Sequence, residues 1–237
     1  MNATIHRAEE RGHANHGWLN SHHSFSFANY YNPEKMNFGA LRVLNDDRIA
    51  PGTGFGKHPH ENMEIISIPL EGDLKHEDSM GNKGVIRHGE VQVMSAGTGI
   101  VHSEMNASKT EDCAFLQIWI IPNQQGVEPR YGQGKIDTIS SEGEWNEIVG
   151  PKSDHNKQWI HQDARMYLTQ FEKNTSSDYR IKGKSHGVYF FVLEGAISIG
   201  DHKLGKRDAG GFWDVEQLNI SFDESTTLLA IEVPLTF

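Results

Sequence analysis

An all-β protein made of two tandem jelly-roll barrels is what this sequence predicts, on three observations. Apolar residues fall in short runs bounded by Gly, Asn and Asp, with 24 glycines in the chain, which is the pattern of strands joined by tight turns. Blocks of helix-favouring residues are scarce. The same order of motifs also occurs twice, which predicts two similar β-modules in a chain of 237 residues. Paired sheets of this kind close into jelly rolls, and two of them use most of this length.

The strands can be read in order. Residues 40–44 are short and apolar, 63–70 are rich in Ile, 90–94 alternate Val with polar residues, and 114–121 are strongly apolar. Asp78-Ser79-Met80-Gly81-Asn82 reads as a hairpin tip. In the second half, residues 188–193, 196–199, 219–222 and 227–233 repeat the theme. Pro69-Leu70-Glu71-Gly72 closes one strand and Val192-Leu193-Glu194-Gly195 another; Gly89-Glu90-Val91 and Gly210-Gly211-Phe212-Trp213 then lead in later strands. Residues 123–156, richer in Gly, Gln, Ser and Glu, read as the connection. The expected division is an N-terminal module over 1–133 and a C-terminal one over 134–237.

Charge and composition exclude several functions. Acids outnumber bases 32 to 22, for a net charge of −10. Such a surface repels phosphate backbones, so direct nucleic-acid binding is not expected. No apolar run approaches the length of a membrane span, and the N-terminus lacks the apolar core of a signal peptide. Cys113 is the single cysteine, which fits a reducing compartment; the expected location is the cytoplasm. Cys113 sits in an apolar strand with nothing nearby to activate its thiolate. Walker, Rossmann and GxSxG motifs are missing.

Fourteen histidines are the compositional oddity, and their spacing carries the chemistry. In Lys57-His58-Pro59-His60, side chains two apart on a strand share a face, roughly 6.6 Å apart. Gly99-Ile100-Val101-His102-Ser103-Glu104 repeats that spacing with a carboxylate as the second group. Either pair alone is also what an exposed His pair or a lone core histidine looks like. Together, on neighbouring strands facing into one barrel, His58, His60, His102 and Glu104 supply four ligands to one ion. Three imidazoles and a carboxylate suit Fe(II), Mn(II), Ni(II) or Zn(II), and a six-coordinate ion keeps two positions open.

The motifs HPHENMEIISIPLEGDLKHEDSMGN and SAGTGIVHSEMN, with the N-terminal HGWLNSHHSFSFANYYNPEKMNFGALRVLNDD, resemble those of the pirin family, closely over roughly residues 12–133 and loosely beyond. The resemblance implies a bicupin: two cupin barrels with one metal in the N-terminal barrel, usually iron, with Mn, Ni, Cu or Zn as alternatives. The family's ligand pattern falls on His58, His60, His102 and Glu104. Many cupins place the acidic ligand in the first motif, shortly after HxH, where Glu64 stands here. Glu64 has the strand parity of His58 and His60, so it is expected near the pocket, behind the ligands or as a base beside Glu104, with direct ligation as the alternative. The second module reads Ile181-Lys182-Gly183-Lys184-Ser185-His186-Gly187 at the first-motif position, without HxH. His186 and His202 are therefore expected to be satisfied polar or surface residues, and the C-terminal barrel to bind no metal. Phe25, Phe27, Tyr30 and Tyr31 read as core packing, with the N-terminus against the C-terminal module as in pirins. His22, His23 and His76 read as surface or pocket-mouth residues.

The function that the resemblance implies is a quercetinase-like dioxygenase that opens a flavonol or related phenol with O2 and releases carbon monoxide. Two alternatives share the scaffold. One is a redox-responsive binding protein whose metal state alters contacts with a protein partner; the other is a Zn-dependent hydrolase or isomerase.

Overall fold

The structure, a computed structural model, describes residues 1–136, 143–154 and 158–236. The described strands form two modules, each with one seven-stranded and one four-stranded sheet. In the first half the large sheet runs Arg130–Lys135, Glu90–Ser95, Glu64–Glu71, Cys113–Ile120, Leu41–Ile49, Leu19–His23, Gly12–Asn15. Its small sheet runs Gly54–His60, Ile100–Asn106, Leu74–Asp78, Lys83–Ile86. In the second module, joined by the N-terminal strand, the large sheet runs Asn2–His6, Ala209–Trp213, His186–Glu194, Thr226–Pro234, Arg165–Phe171, Glu147–Pro151, Trp159–Ile160. The small one runs Thr175–Arg180, Gln217–Phe222, Ile197–Ile199, His202–Leu204. Among the described residues, pairing is antiparallel except between Glu147–Pro151 and Trp159–Ile160. This is the predicted all-β, two-cupin architecture. No helix among the described residues is long and apolar enough to cross a membrane.

Alternation along the strands decides which face meets what. Ile66, Ile68, Val91, Val93, Leu116 and Ile118 from the first large sheet share one core with Tyr189, Phe191, Leu193, Leu229 and Ile231 from the second. The two large sheets thus pack back to back, and each fully buried aliphatic or Phe side chain contributes about 1.5–3 kcal/mol. The inward faces differ between modules. The C-terminal barrel is filled by Val188, Phe190, Val192, Ile197, Leu218, Ile220 and Phe222, with Phe171 stacked on Phe222 at 3.9 Å. The N-terminal barrel instead turns polar side chains inward and keeps a cavity.

The twin Glu-Gly motifs do the same job in both halves. Gly72 (φ +69°) and Gly195 (φ +84°) end the central strands. A Cβ would stand 2.9 Å from the Asp112 carbonyl at the first and 2.4 Å from the Ser225 carbonyl at the second. Only glycine accepts both the left-handed backbone and this approach.

Two expectations need correction and one is met. The connection over 123–156 contains two strands, Arg130–Lys135 and Glu147–Pro151, one for each large sheet. Their backbones supply ladder bonds while their side chains carry little apolar alternation, so they were invisible as strands. The N-terminal strand Asn2–His6 pairs with Ala209–Trp213 in the second module's sheet, in line with the expected packing of the N-terminus against that module. Tyr31 is 73% exposed, not core, whereas Phe25 is buried 5.4 Å from Tyr189.

Candidate metal centre

His58 and His60 lie on Gly54–His60 and His102 on the neighbouring Ile100–Asn106, where His102 pairs directly with His58. Ring centroids of the three imidazoles are 4.4–4.8 Å apart, and one nitrogen of each lies within 4.8 Å of the others. Two nitrogens bound to one ion stand at most about 4.2 Å apart, so a small side-chain rotation closes the set.

The protonation chemistry fits a cation. Burial, reinforced by His58, pushes His60 down to about 4. Burial and the surrounding imidazoles push His102 down to about 2. Both are therefore neutral at physiological pH, with lone pairs available. His58 Nδ1 lies 2.7 Å from the Gly56 carbonyl; donation there leaves Nε2 as the free lone pair, the usual way a ligand's tautomer is fixed. Both ring nitrogens of His102 are buried without a hydrogen-bond partner. A buried polar atom left unpaired costs about 1–3 kcal/mol, and a metal bond removes that cost at one nitrogen. The residues present fit a metal ion.

Glu104 follows on the same strand after a register shift between His102 and Glu104. It is fully buried and lines the same cavity, but it lies outside the three-histidine cluster. Ser67 Oγ donates to its Oε1 at 2.7 Å and Gln117 Nε2 to its Oε2 at 2.6 Å. Burial pushes its carboxyl up, while Ser67 and the nearby imidazoles oppose the shift.

Glu64 is not brought to this site. Asn62 adopts a left-handed backbone (φ +48°) between Gly54–His60 and Glu64–Glu71, and the chain crosses there from the small sheet to the large one. Parity counted through that crossing has no meaning. Ser67 points to Glu104, so Glu64, three residues earlier, points out of the opposite sheet face. There Ser95 Oγ donates to it at 2.7 Å, and burial, opposed by Ser95, the His161 backbone N–H and Arg130, lifts its carboxyl to about 7.

His76 also departs from expectation. It is fully buried, directly opposite Glu104 on Leu74–Asp78, with its ring 5.4 Å from His102 and 4.8 Å from Tyr131. Its Nε2 lies 3.2 Å from Asp78 Oδ2. His23 is buried too, and lines the cavity. His22 is half-buried. In the second barrel His186 is satisfied, as expected, with Nδ1 3.0 Å from Glu232. Tyr179 and the Lys182 and Gly183 backbone N–H groups also donate to Glu232.

The cavity beside the histidines has a volume of about 350 Å³, the size of small-molecule sites. Trp18, Phe27, Phe55 and Trp119 supply its apolar walls, and Trp119 meets His60 edge-on at 4.9 Å. A cleft of about 470 Å³ between the modules offers no such set: its Arg48 and Lys206 are already paired with Glu71 and Glu194.

Comparison with known proteins agrees with this geometry. Two family models match, Pirin over residues 4–120 and the quercetinase C-terminal cupin domain over 147–233. A quercetin 2,3-dioxygenase of Escherichia coli (strain K12) is 43% identical over 230 residues, 97% of this chain and 98% of that protein. A pirin-like protein of Caulobacter vibrioides is 38% identical over 225 residues, 94% and 96% of the two chains. The crystal structure of the bacterial pirin YhhW from Escherichia coli in complex with nickel(II) superposes with a TM-score of 0.92 at 42% identity, covering 98% of this chain and 99% of that one. On this near-full-length similarity and the two-barrel fold, the chain belongs to the pirin family.

Proposed function

We propose that this pirin is a metal-dependent dioxygenase resembling quercetin 2,3-dioxygenase, which opens the ring of a flavonol or related phenol, consuming one O2 and releasing one CO. The observation that carries this reading is the cluster of His58, His60 and His102, two of which, His58 and His60, stand in the wall of an aromatic-lined cavity. His58, His60 and His102 would hold the ion, with Glu104 as the carboxylate donor. Fe(II) is the ion we propose, and Mn, Ni, Cu or Zn share the ligand preference. When bound, it supplies Lewis-acid and redox chemistry for the reaction with O2.

The chain's own residues do the rest. Trp18, Phe55 and Trp119 hold flat rings and keep water out, which strengthens every electrostatic interaction inside. Glu104 accepts the substrate's hydroxyl proton at Oε2, with Gln117 fixing the position of that oxygen. Glu64 has no part in this scheme. We assign the chemistry to the module over 1–133, with Asn2–His6 acting as a clasp onto the module over 134–237. The buried, lone Cys113 supports a reducing, cytoplasmic setting.

The test is anaerobic Fe(II) loading, followed by oxygen-electrode and CO measurements with quercetin and other phenols. Matched O2 uptake and CO release, both lost in His102→Ala, is the expected result. Metal binding without O2 uptake on any phenol would refute the enzyme reading in favour of a redox-responsive binding protein. Hydrolysis or isomerisation by the Zn-loaded form alone would refute it in favour of a zinc enzyme.

A further inference from the structure

Inside the N-terminal barrel, cross-strand register joins polar residues into one row. His23 pairs with Asn45, Asn45 with Gln117, Gln117 with Ser67, Ser67 with Gln92, and Gln92 with Gln133. All but Gln133 are buried. Half-buried polar strands usually turn such residues to water; here they face the interior. The middle of the row is explained, because Gln117 and Ser67 hold Glu104.

The His23 end is not explained by the fold. His23 Nδ1 and Asn45 Oδ1 are buried without hydrogen-bond partners, and so is Trp119 Nε1. All three residues line the same cavity as His58 and His60. Asp47, on the same face two residues beyond Asn45, lines it as well and accepts from Ser21. Unpaired buried polar atoms are costly and rare, so a cluster in one cavity points to a ligand that completes it. Burial and the adjacent His22 hold His23 neutral, at about 4. Two strand spacings, about 10 Å, separate His23 from Gln117, a distance that a multi-ring molecule spans.

We infer that His23, Asn45 and Asp47 form a second recognition pole, which hydrogen-bonds hydroxyl groups at the end of a flat substrate remote from the histidine triad. The preferred substrate is then a polyhydroxylated multi-ring phenol, and these residues set its specificity. The inference rests on the dioxygenase reading for its substrate class, yet it concerns binding and can be tested without turnover.

The experiment is anaerobic calorimetric titration of Fe(II)-loaded protein with quercetin and with 3-hydroxyflavone, which keeps the reacting enol but lacks the outer hydroxyls. The wild type is expected to bind quercetin at least about tenfold more tightly. Asn45→Leu and Asp47→Leu should each bring that ratio towards one. Asn45→Asp, which keeps an acceptor oxygen, should retain most of it. Thermal melting and metal content of each variant separate lost folding from lost recognition. Equal affinities in the wild type, or a ratio unchanged in Asn45→Leu, would overturn the inference while leaving O2 uptake as a separate test of the enzyme reading. A ratio that collapses as expected in a protein that consumes no O2 would uphold the recognition pole and overturn the dioxygenase reading. Failure of the wild type to bind either compound would overturn both.

Discussion

Replacing Glu64 with Gln separates a buried structural carboxyl from a catalytic one. The ordinary value for a Glu carboxyl is 4.5, and burial raises it here to about 7. Below pH 4.5 the folded and unfolded chains both hold the proton, and the site costs nothing. Between 4.5 and 7 the unfolded chain sheds its proton while the fold retains it, so stability falls as pH rises. Above 7 the loss is complete, at about 3 kcal/mol. Glu64→Gln cannot ionise and lacks this segment of the pH profile. Asp47, also lifted by burial to about 7, contributes equally to both proteins and cancels. Urea unfolding of the two metal-free proteins at pH 4.5, 6 and 8 should therefore show wild-type stability falling by about 3 kcal/mol relative to the variant. O2 uptake by the Fe(II)-loaded variant should stay within a few-fold of wild type. Parallel stability profiles, or loss of activity in a variant that folds and holds metal normally, would refute the placement of Glu64 on the outer sheet face.

Two other outcomes follow from the packing. Ser67→Ala removes one of two donors from the fully buried Glu104 and should cost about 1.5–3 kcal/mol in urea unfolding, the range for a hydrogen bond to a charged group; no loss would mean that Glu104 is not held as described. Cys113 is buried, and burial pushes its thiol up to about 12, so a disulfide reagent at pH 8 should leave native protein unmodified for hours and react promptly in urea. Prompt reaction of the native protein would contradict that burial.

The histidine cluster was legible in the sequence because it is local. HPH places His58 and His60 two apart on one strand, HSE does the same for His102 and Glu104, and the strands pair with His58 opposite His102. The repeat of Leu-Glu-Gly likewise announced two modules, since both glycines meet the same steric demand. What stayed hidden depended on register. Glu64 shares sequence parity with His58 only if no crossing intervenes, and Asn62 makes one. His76 lies between Lys75 and Glu77, so it reads as a surface residue until Tyr131, from the large sheet, is seen packed 4.8 Å from its ring. The row from His23 to Gln133 spans six strands distant in sequence, and its members read singly as solvent-facing polar residues. The strand Arg130–Lys135 was missed for a related reason: its sequence, Arg-Tyr-Gly-Gln-Gly-Lys, carries no apolar stripe.

Metal stoichiometry tests the central claim most directly. Calorimetric titration of chelator-stripped protein with Ni(II), checked by elemental analysis after gel filtration, should give one ion per chain. His58→Ala, His60→Ala and His102→Ala should each abolish tight binding, while His186→Ala should still bind one ion. Zero stoichiometry in the wild type, or a full ion retained in His102→Ala, would contradict a site built from these three histidines.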